Sequence, residues 1–396
     1  MSSGGSIYVH VPFCASKCSY CDFVSVPLGQ VRPLAASYLA ALRTELRPSV
    51  RLLRRIAPIR SIYIGGGTPT ALPASELARL ASELLTAAVS AAAGDDPVDI
   101  EFTVEANPAT IDTAGLSLLL RAGVNRLSLG VQSLDPAELE ALGRAHDAAQ
   151  ALAAIDDARA AGFENLNVDL IIGAPGQTRA SLECTLESIV ARRPDHVSAY
   201  CLQLETGTPL ERAVASGKVQ VPDADETADL YWTAVRALCS AGYRRYEVSN
   251  FALPGRECRH NLGYWECGMY LGLGAAAHSH YPSEAGGPAR RWVRSWNTSD
   301  VGEYVRLVMS GHTPEAGREE LDAEREARDR VMLGLRTERG VDLAEVGAAY
   351  GVRISDALLP VLRKWSLKRM VEMEGTRARI APQAALVANV VLAECV

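Results

Sequence analysis

The chain has no run approaching the ~18 consecutive apolar residues that a membrane span needs, so a spanning helix is not expected. It lacks positive charge in excess. Its 40 Lys and Arg stand against 47 Asp and Glu, giving a net charge of −7 and a pI of 5.6, and this leaves no basic footprint for nucleic acid. The N-terminal stretch Met1-Ser2-Ser3-Gly4-Gly5-Ser6 has no charged segment followed by an apolar one, so no signal peptide is expected. Nine cysteines, an odd number with three of them clustered, do not suit a disulfide framework, and a reducing cytoplasm is expected instead. Internal repeats are absent, and Ala-rich helices are the only compositional bias. What is present is 396 residues, 48% of them hydrophobic, which is enough for a large core and two or three domains.

The first two hundred residues alternate short β runs with helical patterns. Expected strands are Ile7–Val11, Ser61–Ile64, Ile100–Val104, Arg126–Gly130, Leu166–Ile172 and His196–Tyr200, rich in Val, Ile and Leu as strands buried on both faces should be. Expected helices between them are Leu34–Arg54, Ser75–Ala92, Thr113–Arg121, Ala148–Ala161 and Arg179–Arg192. This alternation predicts an α/β fold with a parallel sheet. Six βα units fall short of the eight that close a full barrel.

Residues 205–222 are polar and read as a link. Asp223–Ala241 reads as an amphipathic helix, Tyr243–Phe251 as an aromatic strand, and Arg290–Trp296 as another strand. The last stretch changes character: helices at Glu324–Leu335, Asp342–Tyr350 and Ser355–Lys364, a hairpin around Gly375, and a closing helix at Ala385–Glu394. The expected division is residues 1–204 as the (βα)6 core, 205–310 as its continuation and linker, and 311–396 as a mostly helical, winged-helix-like domain.

The chemistry concentrates in Cys14-Ala15-Ser16-Lys17-Cys18-Ser19-Tyr20-Cys21, directly after the first strand. Three thiolates from one loop suit an iron–sulfur cluster that normally takes four, leaving one iron open for a small ligand. Spacing alone also fits a zinc site completed by a distant fourth ligand, or ordinary cysteines. Further motifs fall toward the C-terminal ends of successive strands, where ligands bind in such folds: Gly65–Thr70 after the second, Glu105 after the third, Gln132 after the fourth, and Asp169 within or at the end of the fifth. Glycines after a buried strand let backbone approach a ligand closely, and a carboxylate at a strand end suits a cationic or hydroxyl-bearing partner.

The CxxxCxxC spacing, with Tyr20 before its third cysteine, resembles the signature of the radical S-adenosylmethionine (SAM) superfamily. Tyr8-Val9-His10-Val11-Pro12-Phe13-Cys14, Gly65–Thr70, Gly130-Val131-Gln132-Ser133 and Asp169-Leu170-Ile171-Ile172-Gly173 resemble the branch that holds oxygen-independent coproporphyrinogen III oxidases and related haem chaperones. The resemblance spans nearly the whole chain. It implies an open, partial (βα)6 TIM-like barrel, a 4Fe–4S cluster on Cys14, Cys18 and Cys21, and SAM at the open iron. By the same resemblance Tyr8, Tyr20, Gly66, Gly67, Thr68 and Glu105 line the SAM site. Gln132, Arg144 and Asp169 match further cofactor-binding positions, part of a set that holds a second SAM in the oxidase branch. Of the seven histidines at 10, 146, 196, 260, 278, 280 and 312, His260 stands out, because His260-Asn261-Leu262-Gly263-Tyr264-Trp265 resembles a string seen in the haem-chaperone relatives and makes it the candidate haem-binding residue.

Two functions compete. One is a haem chaperone that carries haem to acceptor haemoproteins, such as those of the respiratory chain. The other is the decarboxylating oxidase itself. The oxidase pattern has a cysteine two residues after the third cluster cysteine, where this chain has Phe23, and a substantial segment before the cluster, where this chain has thirteen residues. Both departures match the chaperone. The expected protein is cytoplasmic, a monomer or dimer, and free of nucleic acid. Its cargo is haem and its cluster and SAM motifs are intact. It lacks coproporphyrinogen oxidase activity, and peripheral membrane association stays open.

Overall fold

The computed structural model describes residues 4–92, 99–284 and 291–395. Met1–Ser3 and Arg290, both parts of segments interpreted above, lie outside them. The first six strands of the main sheet are β1 (Gly5–Val11), β2 (Ile59–Gly66), β3 (Glu101–Ala106), β4 (Arg126–Gln132), β5 (Leu166–Ile172) and β6 (His196–Cys201). Each pairs in parallel with the next. Their Val, Ile and Leu side chains, such as Ile7, Val9, Ile62, Ile64, Leu127 and Val168, are buried on one face. The alternate positions place Tyr8, Ser61, Tyr63, Glu105, Ser128 and Asp169, buried or half-buried, on the other, so the strands are covered on both faces but apolar on only one. The crossovers carry α1 (Leu28–Ile56), α2 (Ala74–Ala91), α3 (Thr113–Arg121), α4 (Pro136–Ala141), α5 (Ala148–Ala161) and α6 (Arg179–Ala191). The expected parallel α/β core is therefore present. α4 was not foreseen; Asp135 caps it by accepting from the Ala137 and Glu138 amides, and six residues are too few to show a helical period.

Residues 205–310 do more than link. α7 (Pro209–Ala215) sits inside the supposed linker, capped by Thr208. α8 (Ala224–Ser240) follows, and Tyr243–Phe251 forms two short strands rather than one: β7 (Arg244–Arg245) and β8 (Asn250–Ala252). The chain doubles back between them, with the Tyr246 amide donating to the Asn250 carbonyl and Glu247 accepting from the Ser249 amide. β8 pairs antiparallel with β6. After α9 (Arg259–Trp265), β9 (Tyr270–Leu273) adds in parallel to the other side of β1. β10 (His278–Pro282), β11 (Trp292–Asn297) and β12 (Glu315–Leu321) extend that side antiparallel. The result is one open twelve-stranded sheet, β12-β11-β10-β9-β1-β2-β3-β4-β5-β6-β8-β7. Its core cluster runs from Ile7 to Val308 and takes in α10 (Val301–Met309).

A second, separate core holds the C-terminal unit. It contains α11 (Ala323–Gly334), α12 (Leu343–Tyr350), α13 (Ile354–Leu367) and a three-stranded antiparallel sheet of β13 (Val341–Asp342), β15 (Arg377–Ile380) and β14 (Val371–Glu374). Three helices with a small sheet match the winged-helix plan expected. The closing helix does not form as one piece. Pro382–Val387 is a 3-10 segment and α14 is only Asn389–Leu392, because Ala384, Ala388, Val391 and Leu392 bend inward to fill this core.

Candidate radical SAM site

The cysteine loop is held at both ends by a small parallel pair, Phe13–Cys14 against Val26–Pro27, with the Val26 amide donating to the Pro12 carbonyl at 2.8 Å. Midway, Ser19 ties the loop to the end of α4: its amide donates to the Leu142 carbonyl and its hydroxyl to the Ala141 carbonyl. Cys14 is buried, and Cys18 and Cys21 are half-buried; all three are free thiols. They lie close enough for Cys14 and Cys21 each to feel the charge of Cys18. Burial pushes the Cys14 and Cys21 thiols up, a cost that a bound cation reverses. Thr68 Oγ1 donates to Cys14 Sγ at 3.6 Å, and Arg144 Nη1 donates to Cys18 Sγ at 3.1 Å. Three thiols, two supplied with donors that stabilise thiolate, fit an iron–sulfur cluster.

The glycine turn lies directly against this loop. The Gly67 amide donates to the Val11 carbonyl and the Thr68 amide to the Phe13 carbonyl. A Cβ on Gly67 would stand 2.7 Å from the Phe13 carbonyl oxygen. Gly66 has φ +106°, and a Cβ there would meet the His10 ring at 2.4 Å. That ring is locked: Nε2–H donates to the Val24 carbonyl at 2.8 Å, so Nδ1 accepts from the Tyr8 hydroxyl at 3.0 Å.

Glu105 ends β3 with Tyr63 donating to one carboxylate oxygen at 2.7 Å and the Gly66 amide to the other at 3.1 Å. Burial lifts its pKa to about 7 despite these donors, and Asp169 adds to the rise. Asp169 accepts from Ser128 Oγ at 2.9 Å and Asn167 Nδ2 at 2.7 Å, and burial raises it too. Gln132 closes β4 with φ +68°, beyond a register slip between Gly130 and Gln132. A non-glycine residue in this region carries strain of about 1–3 kcal/mol, which collects at ligand sites. Arg144 spans the gap between strand and loop, reaching the Gly130 carbonyl at 2.7 Å as well as Cys18, while its buried Nε has no partner. Tyr20 packs on Leu142, Ile171 and Ala174 beside Arg144.

His260 is elsewhere. It is 2% exposed on α9, under the barrel, with Nδ1 at 2.9 Å from Ser61 Oγ and Nε2 at 3.1 Å from the Tyr264 hydroxyl. Its ring stacks on Tyr63 at 5.0 Å. Burial, with the Arg126 charge, pushes its pKa down to about 3. In this arrangement neither ring nitrogen is free to meet an iron.

Residues 8–189 match the radical SAM superfamily, and 321–387 match the HemN C-terminal domain. The chain is 38% identical to heme chaperone HemW of Mycobacterium tuberculosis over 92% of this chain and 90% of that one. With heme chaperone HemW of Bacillus subtilis the identity is 33% over 97% of each. The chain belongs to the HemW family of radical SAM proteins. Mouse radical S-adenosyl methionine domain-containing protein 1, mitochondrial, is 37% identical over 86% of this chain and 75% of that one. Among solved structures, coproporphyrinogen III oxidase (HemN) from Escherichia coli superposes with a TM-score of 0.81, covering 99% of this chain and 90% of that one at 23% identity. The partial barrel with its C-terminal domain is thus the fold of this HemW-family chain.

Sequence reasoning missed the charge beneath the site. Arg126, 1% exposed at the start of β4, places a buried cation within reach of Glu105, Asp169, His260 and His196. It was counted only as a strand boundary, and no local motif marks it. Tyr63, the donor to Glu105, was likewise counted only as a strand residue.

Proposed function

We propose that this chain is a haem chaperone that binds haem and passes it to acceptor haemoproteins, with a 4Fe–4S cluster on Cys14, Cys18 and Cys21 and SAM beside it. The observation that carries the reading is 33–38% identity, across at least 92% of the chain, to relatives named heme chaperone HemW. Phe23, 62% exposed where the oxidase pattern has a cysteine, supports it.

When bound, the cluster and SAM supply one-electron cleavage of the SAM sulfonium. The protein's own contribution is placement. Gly66, Gly67 and Thr68 offer a tight backbone cradle next to Cys14. Glu105 and Asp169 present carboxylates to amino and hydroxyl groups of the nucleoside. Gln132 and Arg144 hold the opposite edge, with Arg144 suited to pair a carboxylate. Tyr8 and Tyr20 wall the site from water. We assign His260 to the haem-binding region as a residue that shapes it through Tyr63 and Tyr264, both in contact with its ring. Residues 1–204 and 205–310 work as the cofactor-bearing core and its continuation, and 311–396 as an appendage that gives the main sheet its edge strand β12 and from α11 onward has its own hydrophobic core. Among the described residues no helix is long and apolar enough to cross a membrane; we place the protein in the cytoplasm as a monomer or dimer, with respiratory-chain haemoproteins as acceptors.

The test is a haem titration of cluster-reconstituted protein, run beside an anaerobic, reducing coproporphyrinogen III decarboxylation assay with SAM. Saturable haem binding without turnover is the expected outcome. Robust decarboxylation, or absence of saturable haem binding, overturns the reading.

A further inference from the structure

A second cluster of metal-binding side chains lies far from the cysteine loop in sequence. Cys267 follows the end of α9, His280 lies on β10 and Glu326 on α11. All three are buried, at 8%, 1% and 0% exposure. One donor atom from each falls within 4.8 Å of the others. Glu326 Oε1 stands 3.0 Å from His280 Nε2 and 3.2 Å from Cys267 Sγ. The donor–donor edges of a tetrahedral zinc site with sulfur, nitrogen and oxygen ligands are about 3.3–3.6 Å.

The histidine is set up as metal ligands are. Its Nδ1 lies 2.9 Å from the Gly268 carbonyl and so carries a hydrogen, which leaves Nε2, 3.0 Å from Glu326 Oε1, as the atom that faces the carboxylate. Glu326 Oε2, also buried, has no hydrogen-bond partner. A lone pair facing a carboxylate oxygen in a dry interior is repulsive unless a cation lies between them. The ring is clamped besides: it stacks on Trp292 at 5.0 Å and meets Tyr270 at 5.9 Å. Cys267 is held at φ +50°, a region non-glycine residues rarely adopt.

We propose that Cys267, His280 and Glu326 form a binding site for a divalent transition metal of the zinc class, which ties the end of α9 and strand β10 to the first helix of the C-terminal unit. Thiolate, imidazole and carboxylate are all good zinc donors. One thiolate, one carboxylate and one neutral imidazole balance a dication, so the occupied site carries no net buried charge. Binding releases the thiol proton and whatever proton the His280–Glu326 pair shares. The Arg294–Asp329 ion pair, closed at 2.7 Å, flanks the site as a pre-balanced neighbour.

The experiment uses full-length protein with its iron–sulfur cluster reconstituted, so that the loop cysteines are occupied, titrated with zinc chloride. One zinc should be retained per chain after dialysis, and the thermal midpoint should climb by several degrees and saturate at one equivalent. Cys267→Ser and Glu326→Gln should each lose that zinc and the thermal shift, while the visible absorbance of the iron–sulfur cluster is kept. Zinc-edge X-ray absorption on the unmodified protein covers the case in which a variant fails to fold, and should show one sulfur among nitrogen and oxygen ligands. No stoichiometric zinc, retention in both variants, or a sulfur-rich shell overturns the proposal and leaves a proton as the cation shared by His280 and Glu326.

Discussion

The cysteine loop and the Cys267–His280–Glu326 cluster bring metal-binding side chains together in opposite ways. The loop draws three thiols from eight consecutive residues, leaves two half-exposed, and surrounds them with donors from the barrel rim, Thr68 and Arg144. The buried cluster draws one residue from each of three distant segments and is sealed among aromatic rings. An accessible set built on one loop can accept a large cofactor with an open edge. A sealed set built across elements can accept an ion and little else, and its effect falls on how those elements dock. Sequence spacing reports the first kind and is blind to the second.

The comparison breaks most sharply on Cys18. Replacing it with Ala removes one of three sulfurs, and we expect essentially complete loss of iron and of visible absorbance after anaerobic reconstitution, with the far-ultraviolet dichroism kept. Iron content equal to the parent protein would show that the loop does not hold the metal.

A smaller effect follows at the turn beneath the loop. Gly66→Ala puts a methyl against the His10 ring at a positive φ. The expected cost is about 2–3 kcal/mol in urea denaturation, felt at the rim and not at the buried cluster. A change under about 0.5 kcal/mol would mean that His10 moves aside freely.

The smallest effect is electrostatic. Glu105 holds its proton more tightly folded, at about 7, than at its ordinary value of 4.5. Its contribution to stability is therefore full below about pH 4.5 and is lost as the pH rises through 7. Glu105→Gln should flatten the decline in unfolding free energy between those values, measured by urea titration at several pH values. An unaltered slope would place the titration on another group, Asp169 being the neighbour raised in the same direction.

Much of the barrel was legible because each strand sets Val, Ile or Leu at alternate positions between helical patterns; Leu166–Ile172 was located to the residue. The loop cysteines, the glycine turn, Glu105 and Gln132 could be placed because each lies at the C-terminal end of a strand; Asp169 stands mid-strand in β5, held by Ser128 and Asn167. Burial of Arg126 was not, since a charged residue at the start of a strand looks like a boundary until neighbouring strands close over it. The slip at Gln132 leaves no mark in composition, because a positive φ is paid for by tertiary contacts. Residues 244–321 were underestimated for a related reason: strands as short as Arg244–Arg245 or Asn250–Ala252 are defined by the sheet edges that receive them. His260 stood out by its motif, yet its hydrogen bonds to Ser61 and Tyr264 join segments that no local pattern connects.

The parallel pair of Phe13–Cys14 with Val26–Pro27 means that the chain leaves the barrel and returns at one point before α1 begins. The Phe23 amide hydrogen-bonds the Cys21 sulfur and the Val24 carbonyl accepts from His10, so the path of the returning chain and the position of the third sulfur are fixed by one set of contacts.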